Sequence, residues 1–325
     1  MPPVVRLDRG VLVELDEGPS IRLDGAGPAD ATVMSHAHAD HLVRNGPVVA
    51  AELTVELAAV RRDRRVERTD HPAVELVDAG HVPGSRAARI TDPSTGETVL
   101  YTGDCCTRDR FFIDGFDPPP ADVLVIEATY GRPTYRLPPT DAVVADVHAW
   151  LEATADRVAV LSAYALGRAQ VLEHLLRDSV RDRVFVTADV AACNAPIERA
   201  LGVDFAVDRL SDGVDLHPGD AVVAPAGALR RGHTAAALAR VETTTAAASG
   251  WATEAAFVHR RGVDAGFALS DHCDFDELLG VVEAVDPEVV YTHHGFADDL
   301  AAAVTRRLGV PAWALKRAQT RLGEY

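Results

Sequence analysis

The chain has 325 residues, 49 of them Asp or Glu and 32 Lys or Arg, for a formal charge of −17. An apolar share of 47% without a run of about 18 apolar residues excludes a helical membrane protein. The acidity argues against long-range attraction to a polyanion.

The charge is lopsided: 32 Asp against 17 Glu, and Lys316 as the only lysine. That pattern fits a halophile, whose salt-rich cytoplasm screens charge over a Debye length of about 3 Å at 1 M. A GC-rich genome would explain the missing lysines but not the excess Asp. No charged-then-apolar leader opens the chain, so no export is expected. Four cysteines without a C-x-x-C pair support neither a zinc ribbon nor a redox motif and point to a reducing, cytoplasmic setting.

The first elements are short strands, Val11 to Val13 and Ile21 to Leu23, ending at Asp24 and a Gly25-Ala26-Gly27-Pro28 turn. Ala31 to Met34 is a third, running into Ser35-His36-Ala37-His38-Ala39-Asp40-His41. Thr54 to Arg61 reads as helix, and the Arg61-Arg62-Asp63-Arg64-Arg65 run as a solvated face. Val74 to Val77, Glu97 to Tyr101 and Val123 to Ile126 read as strands ending at Gly80-His81, Gly103-Asp104 and Glu127. From Val158 onward strands alternate with helices: Val158 to Ser162, helix Ala169 to Arg177, then Val184 to Thr187 and Val222 to Ala224. This βαβ texture marks an α/β unit of its own. The tail continues it with strand Phe267 to Leu269, helix Phe275 to Val285, strand Val289 to Tyr291, helix Ala297 to Leu308 and strand Ala312 to Leu315.

The segment from His36 to His41 carries the chemistry. Three imidazoles and a carboxylate within six residues, directly after a strand, can address two metal ions about 3.5–4 Å apart. Nitrogen and carboxylate donors without thiolate suit Zn²⁺, with Mn²⁺ or Fe as alternatives. His81, Asp104 and His294 each sit where an apolar run meets a polar terminus. A carboxylate such as Asp104 can bridge two ions.

His36-Ala37-His38-Ala39-Asp40-His41, Gly80-His81 and Thr102-Gly103-Asp104 resemble the metallo-β-lactamase superfamily. Ile126-Glu127-Ala128-Thr129-Tyr130-Gly131, Leu269-Ser270-Asp271-His272-Cys273-Asp274 and Val290-Tyr291-Thr292-His293-His294-Gly295 resemble the later motifs of its β-CASP nucleases. Ala163-Tyr164-Ala165-Leu166-Gly167-Arg168-Ala169-Gln170 is similar to a further segment of that group. The resemblance spans roughly residues 20 to 315. Cys273, where the family usually has Ala, and Cys105-Cys106 after Asp104 are departures; Cys273 so near the site is an oxidation or metal-capture liability.

The resemblance implies a fold and a set of roles. The fold is α/β: a four-layer αβ/βα metallo-β-lactamase domain from residues 1–130 and 270–325, with a β-CASP-type α/β domain inserted over 131–269. Two Zn²⁺ would be held, one by His36, His38 and His81, the other by Asp40, His41 and His294, with Asp104 bridging. Asp24 would orient the ligand loop. Glu127 and His272 would pair, and His272 would protonate the leaving oxygen or stabilise charge on the phosphate. Arg168, from its own place at a helix start after a glycine, is expected to hold a phosphate, with a solvated helix-surface arginine as the alternative. His293 stays open between a supporting residue and a ligand, and Trp251 between a core residue and a base-stacking one. The activity implied is phosphodiester hydrolysis of DNA or RNA. Ala128 to Arg136 and Arg261 to His272 favour the ligase-associated DNA exonucleases, with a DNA ligase and a helicase as partners; the alternative is an RNA endo- or exonuclease of the mRNA 3′-end processing type. A small-ester hydrolase would lack Glu127, Arg168 and His272, and an inactive scaffold paralogue would have lost ligands.

Overall fold

The computed structural model describes residues 3–16, 18–43, 45–62 and 66–316. Asp63, Arg64 and Arg65 of the basic run lie outside the described residues. In chain order the first elements are β1 (Val4–Leu7), β2 (Val11–Glu14), β3 (Ser20–Leu23), β4 (Ala31–Val33), β5 (Val48–Val49), α1 (Glu52–Arg62) and β6 (Arg68–Thr69). Then come β7 (Val74–Asp78), β8 (Arg86–Thr91), β9 (Thr98–Tyr101) and β10 (Val123–Glu127). The middle holds α2 (Thr140–Ala153), β11 (Val158–Ser162), α3 (Arg168–Arg177), β12 (Arg183–Val186), α4 (Ala188–Leu201), β13 (Asp208–Arg209), β14 (Asp220–Ala224), α5 (Gly232–Leu238), β15 (Thr243–Ala248), α6 (Phe257–Arg261) and β16 (Ala265–Phe267). The tail is α7 (Phe275–Val285), β17 (Val289–His293), α8 (Ala297–Leu308) and β18 (Ala312–Ala314).

The chain divides into two compact units. The first comprises the residues up to Arg108, Gly115–Thr134 and the chain from His272 onward; the second comprises Asp109–Asp114 and Tyr135–Asp271.

The first unit contains two six-stranded sheets, ordered β1-β2-β3-β4-β5-β6 and β18-β17-β10-β9-β8-β7. Strand alternation explains how they pack. Val99, Tyr101, Val123 and Val125 point into one core with Val13, Ile21, Leu23 and Val33 of the first sheet. Leu100, Leu124 and Ile126 point the other way, onto Phe275, Leu278 and Val282 of α7 and Leu300 and Val304 of α8. β10 is buried on both faces along its whole length, hence its unbroken apolar run. β10 is parallel to both β9 and β17, so their carboxyl ends lie at one sheet edge. β7 and β9 are each antiparallel to β8, which brings the end of β7 to that edge too.

The second unit is one wholly parallel sheet, ordered β13-β12-β14-β11-β15-β16. Ala159 and Leu161 face α2 and α3 through Val147, Leu151, Leu172 and Leu176, while Val158 and Val160 face Leu210, Leu216 and Val222. The α/β class expected from the βαβ texture is the class observed. Among the described residues no helix is long and apolar enough to cross a membrane.

Candidate metal centre

The site grows from loops that leave these strand ends. β4 delivers Ser35 to His41, β7 delivers His81, β9 delivers Asp104, β10 ends on Glu127 and β17 leads into His294. Gly103 adopts φ +55, and a Cβ there would come within 2.8 Å of Ser35 Cβ; glycine lets the Asp104 loop lie against the His36 loop. His294 itself takes a left-handed φ of 59°.

His36, His38, His81 and Asp104 each bring one ligand-type atom within 4.8 Å of the others. Asp104 Oδ2 is the focus. It lies 3.5 Å from His36 Nε2, 3.4 Å from His41 Nε2 and 3.7 Å from His81 Nε2. His81 Nε2 and His38 Nδ1 are 3.1 Å apart. Asp40, exposed, sits with Oδ2 3.7 Å from His41 Nε2. His294, also exposed, stacks on the His41 ring at a centroid distance of 5.3 Å. The structure therefore gathers His36, His38, His41, His81 and Asp104 tightly, with Asp40 and His294 beside His41.

Asp24 determines which imidazole atoms face inward. Its carboxylate accepts from the Ser35 amide at 2.7 Å, the Ser35 hydroxyl, His41 Nδ1 at 2.8 Å and the Tyr101 hydroxyl at 2.9 Å. The Ser35 hydrogen goes to Asp24, so Ser35 Oγ accepts from His36 Nδ1 at 2.9 Å. Both Nδ1 atoms thus carry hydrogen, and the lone pairs of neutral His36 and His41 reside on Nε2. Those two Nε2 atoms are buried and have no hydrogen-bond partner. Two buried lone pairs against a carboxylate oxygen are an unfavourable set unless a positive charge lies among them. The chemistry of the donors, imidazole with carboxylate, matches what a divalent cation such as Zn²⁺ takes.

The electrostatics point the same way. Burial depresses His36 well below the ordinary histidine range, and the neighbouring histidines add to this. Burial also opposes charge on His41, but Asp104, Asp24 and Asp40 outweigh it and push its pKa up to about 10. Burial raises Asp104, with His41 pulling the other way. Without a metal a proton on His41 fills the need for positive charge; a cation would displace it.

Beside the donors, His272 Nδ1 is 2.8 Å from Glu127 Oε1. Glu127 is fully buried and also accepts from the amides of Cys105 at 3.0 Å and Thr129 at 3.1 Å. Burial works against its charge, yet His272 and these donors hold its carboxyl below the usual range. Asp104, Glu127 and His272 also bring one ligand-type atom each within 4.8 Å of one another, and the His81 and His272 ring centroids are 4.5 Å apart.

Ser35 and Tyr101 escaped the sequence reading. Their only signal was position, directly before His36 and three residues before Asp104. His293 is 2% exposed, stacks on Tyr101 at 5.3 Å and has no hydrogen-bond partner at either ring nitrogen. Cys273 lies 3.9 Å from Cys105, sulfur to sulfur, and both are fully buried. Trp251 is half-buried, edge-on to Tyr135 at 5.0 Å. Arg168, expected on a phosphate, is 6% exposed and bonded to Asp271 and the Ala248 carbonyl.

The role of Asp24 yields an expectation. Asn tolerates the left-handed φ of 47° at this position, so Asp24→Asn keeps the backbone. It loses the charge that orients His41 and Ser35, and metal affinity should fall about 10- to 100-fold. Competition with a chromophoric chelator measures this; an unchanged Kd would remove Asp24 from the orienting role.

No family model matches the chain. It is 32% identical over 307 residues to a protein named probable DNA ligase from Opitutus terrae, covering 90% of this chain and 29% of that protein. It is 28% identical over 214 residues to ribonuclease TTHA0252 of Thermus thermophilus, covering 53% of this chain and 49% of the ribonuclease. It is 31% identical over 128 residues to cleavage and polyadenylation specificity factor subunit 3 of Dictyostelium discoideum, covering 38% and 16%. The chain thus spans less than a third of the Opitutus relative and about half of the Thermus one. A crystal structure of a protein of unknown function from Enterococcus faecalis V583 shares the fold, with a TM-score of 0.62 at 13% identity over 91% of this chain and 94% of that one. With histidines and an aspartate converging from strand ends of two sheets, and relatives of this kind, the chain belongs to the metallo-β-lactamase/β-CASP family.

Proposed function

We propose that this chain is a metal-dependent nuclease that hydrolyses phosphodiester bonds, with single-stranded DNA as preferred substrate and cleavage from a strand end. The observation that carries the reading is the Glu127–His272 pair set beside the imidazole–carboxylate cluster. An ester hydrolase needs the cluster; departure of a sugar oxygen also needs a proton donor.

His36, His38 and His81 would hold one Zn²⁺, Asp40, His41 and His294 a second, and Asp104 both. When bound, such ions would stabilise charge on the phosphate and lower the pKa of water toward about 7. The chain's own residues do the rest. Asp24 and Ser35 keep Nε2 of His36 and His41 aimed inward. Glu127 holds His272 through Nδ1, which leaves Nε2 as the atom that would protonate the leaving oxygen. The segment 131–269 would be the β-CASP-type domain.

The relative named probable DNA ligase supports a DNA substrate and a ligase as functional companion; a helicase would be a further partner. The relatives named ribonuclease and cleavage and polyadenylation specificity factor support the second reading, an RNA nuclease. The acidity of −17 is then an adaptation to a salt-rich cytoplasm, where binding rests on short-range contacts.

One experiment separates these readings. Metal-loaded protein in about 1–2 M KCl, where the Debye length is about 3 Å or less, is incubated with end-labelled DNA and RNA strands of one sequence. A ladder on DNA from one end is expected, fading at low salt. Faster cleavage of RNA favours the second reading, internal cuts an endonuclease, and a low-salt optimum removes the halophilic one. No cleavage of either strand, with His38→Ala indistinguishable from wild type, sinks the nuclease reading.

A further inference from the structure

Arg168 opens α3 immediately after Gly167, which adopts φ +91. Its Nη1 donates to the Ala248 carbonyl at 3.1 Å and its Nη2 to Asp271 Oδ1. Both partners of this ion pair are buried, Arg168 at 6% and Asp271 at 2% exposure. The helix start that presents Arg168 is itself fixed. Gln170 Oε1 accepts from the Gly167 amide at 2.7 Å, and Gln170 Nε2 donates to the Ala165 carbonyl at 3.0 Å and to Asn194 Oδ1 at 2.8 Å.

A second arginine acts one residue earlier. Arg110 Nη1 donates to the Ser270 carbonyl at 3.4 Å. Two guanidinium groups therefore hold consecutive residues, and the next residue in the chain is His272. Beyond it the Cys273 amide donates to the Cys105 carbonyl at 2.8 Å, and Asp274 caps α7. A guanidinium committed to a buried carboxylate is poorly placed to serve as a phosphate ligand. Arg168 lines a pocket together with Arg230 and Arg261, and these two are exposed.

We propose that Arg168 is a positioning residue. By fixing the Asp271 carboxylate it fixes the peptide that leads into His272, and so the placement of the imidazole. This rests on the nuclease reading, in which His272 is the proton donor.

The test compares full-length wild type, R168Q, R168K and the double variant R168Q/D271N. With metal and single-stranded DNA, R168Q should lower kcat about 10²-fold, the scale of a 1 Å misplacement, with KM changed less than about twofold. R168K should regain part of the loss. The double variant should outperform R168Q by about tenfold, because no buried charge is left unpaired. Without metal, the slope of log Kd against log salt for strand binding should match wild type. A phosphate-binding Arg168 would instead raise KM, reduce that slope by about 1 and show no recovery in the double variant; that result overturns the proposal. If R168Q does not fold, R168K and the double variant carry the same comparison. Amide exchange across residues 270–274 gives a readout independent of activity. It should quicken about tenfold or more in R168K or R168Q, by local opening; unchanged exchange overturns the positioning role. A wild type that cleaves no strand refutes the nuclease reading instead, and the exchange result still decides whether Arg168 anchors this segment.

Discussion

Asp104→Asn should leave less than about one part in 10³ of wild-type turnover, a loss of about 4 kcal/mol in transition-state stabilisation. Asn has nearly the same shape, so the loss isolates charge. Asp104 Oδ2 is the carboxylate oxygen that three buried imidazole nitrogens approach, at 3.4 to 3.7 Å. Without its negative charge the Nε2 atoms of His36 and His41 lose the one carboxylate oxygen that both approach, and His41 keeps only the exposed Asp40. Metal content, read by elemental analysis after dialysis, should fall in parallel. Against the opposing pull of burial, Asp104 is also the largest single attraction, ahead of Asp24 and Asp40, among those that push His41 up to about 10. Below that pH a cation bound at His41 must displace a proton, so wild-type metal affinity should climb as pH rises. In Asp104→Asn that proton is held less tightly, and the climb should flatten. Full turnover and full metal content in Asp104→Asn would show that the cation site lies elsewhere.

His272→Ala should lower kcat about 10²- to 10⁴-fold, the range of a general acid, while leaving metal content unchanged. The reason is geometric. His272 is tied through Nδ1 to a fully buried Glu127, whose other contacts are the amides of Cys105 and Thr129. A carboxylate held so firmly fixes the ring and its tautomer. Glu127→Gln should give a smaller loss, since the imidazole remains but its charged acceptor does not. The decisive control is the leaving group. With a p-nitrophenyl ester of thymidine 5′-phosphate the departing oxygen needs no proton, and the His272→Ala defect should shrink to about tenfold or less. A defect of equal size on both substrates would assign His272 to charge stabilisation or binding instead.

The legibility of the fold follows the hydrophobic signal. β10 is a run of apolar residues because both of its faces are covered, and α7 and α8 show amphipathic periodicity, so all three read directly. β8 does not, because Arg86-Ala87-Ala88-Arg89-Ile90-Thr91 mixes two arginines into a strand. β15 does not either: Thr243-Thr244-Thr245-Ala246-Ala247-Ala248 carries little apolar bulk, and its strand state is imposed by neighbours β11 and β16. The last strand before His272 was expected at Phe267 to Leu269. It is observed at Ala265–Phe267, where pairing with β15 sets the register.

The candidate site divides along the same line. By itself the sequence determined the donor chemistry. Imidazole and carboxylate side chains at strand ends are local facts, and His36 to His41 states most of a metal set within six residues. The tertiary structure alone decided which atoms of those side chains face one another. Asp24 and Ser35 follow the paired strands β3 and β4, and Tyr101 ends β9 of the other sheet; only strand pairing and sheet packing bring the Asp24 carboxylate onto Ser35, His41 and Tyr101 and turn the Nε2 of His36 and His41 inward. Arg168 shows the same limit from the other side. A guanidinium after a glycine at a helix start has the chemistry to hold a phosphate, and the sequence says no more than that. A carboxylate 103 residues away, buried against it, is what commits it, because in a dry interior a charge takes the partner that packing supplies.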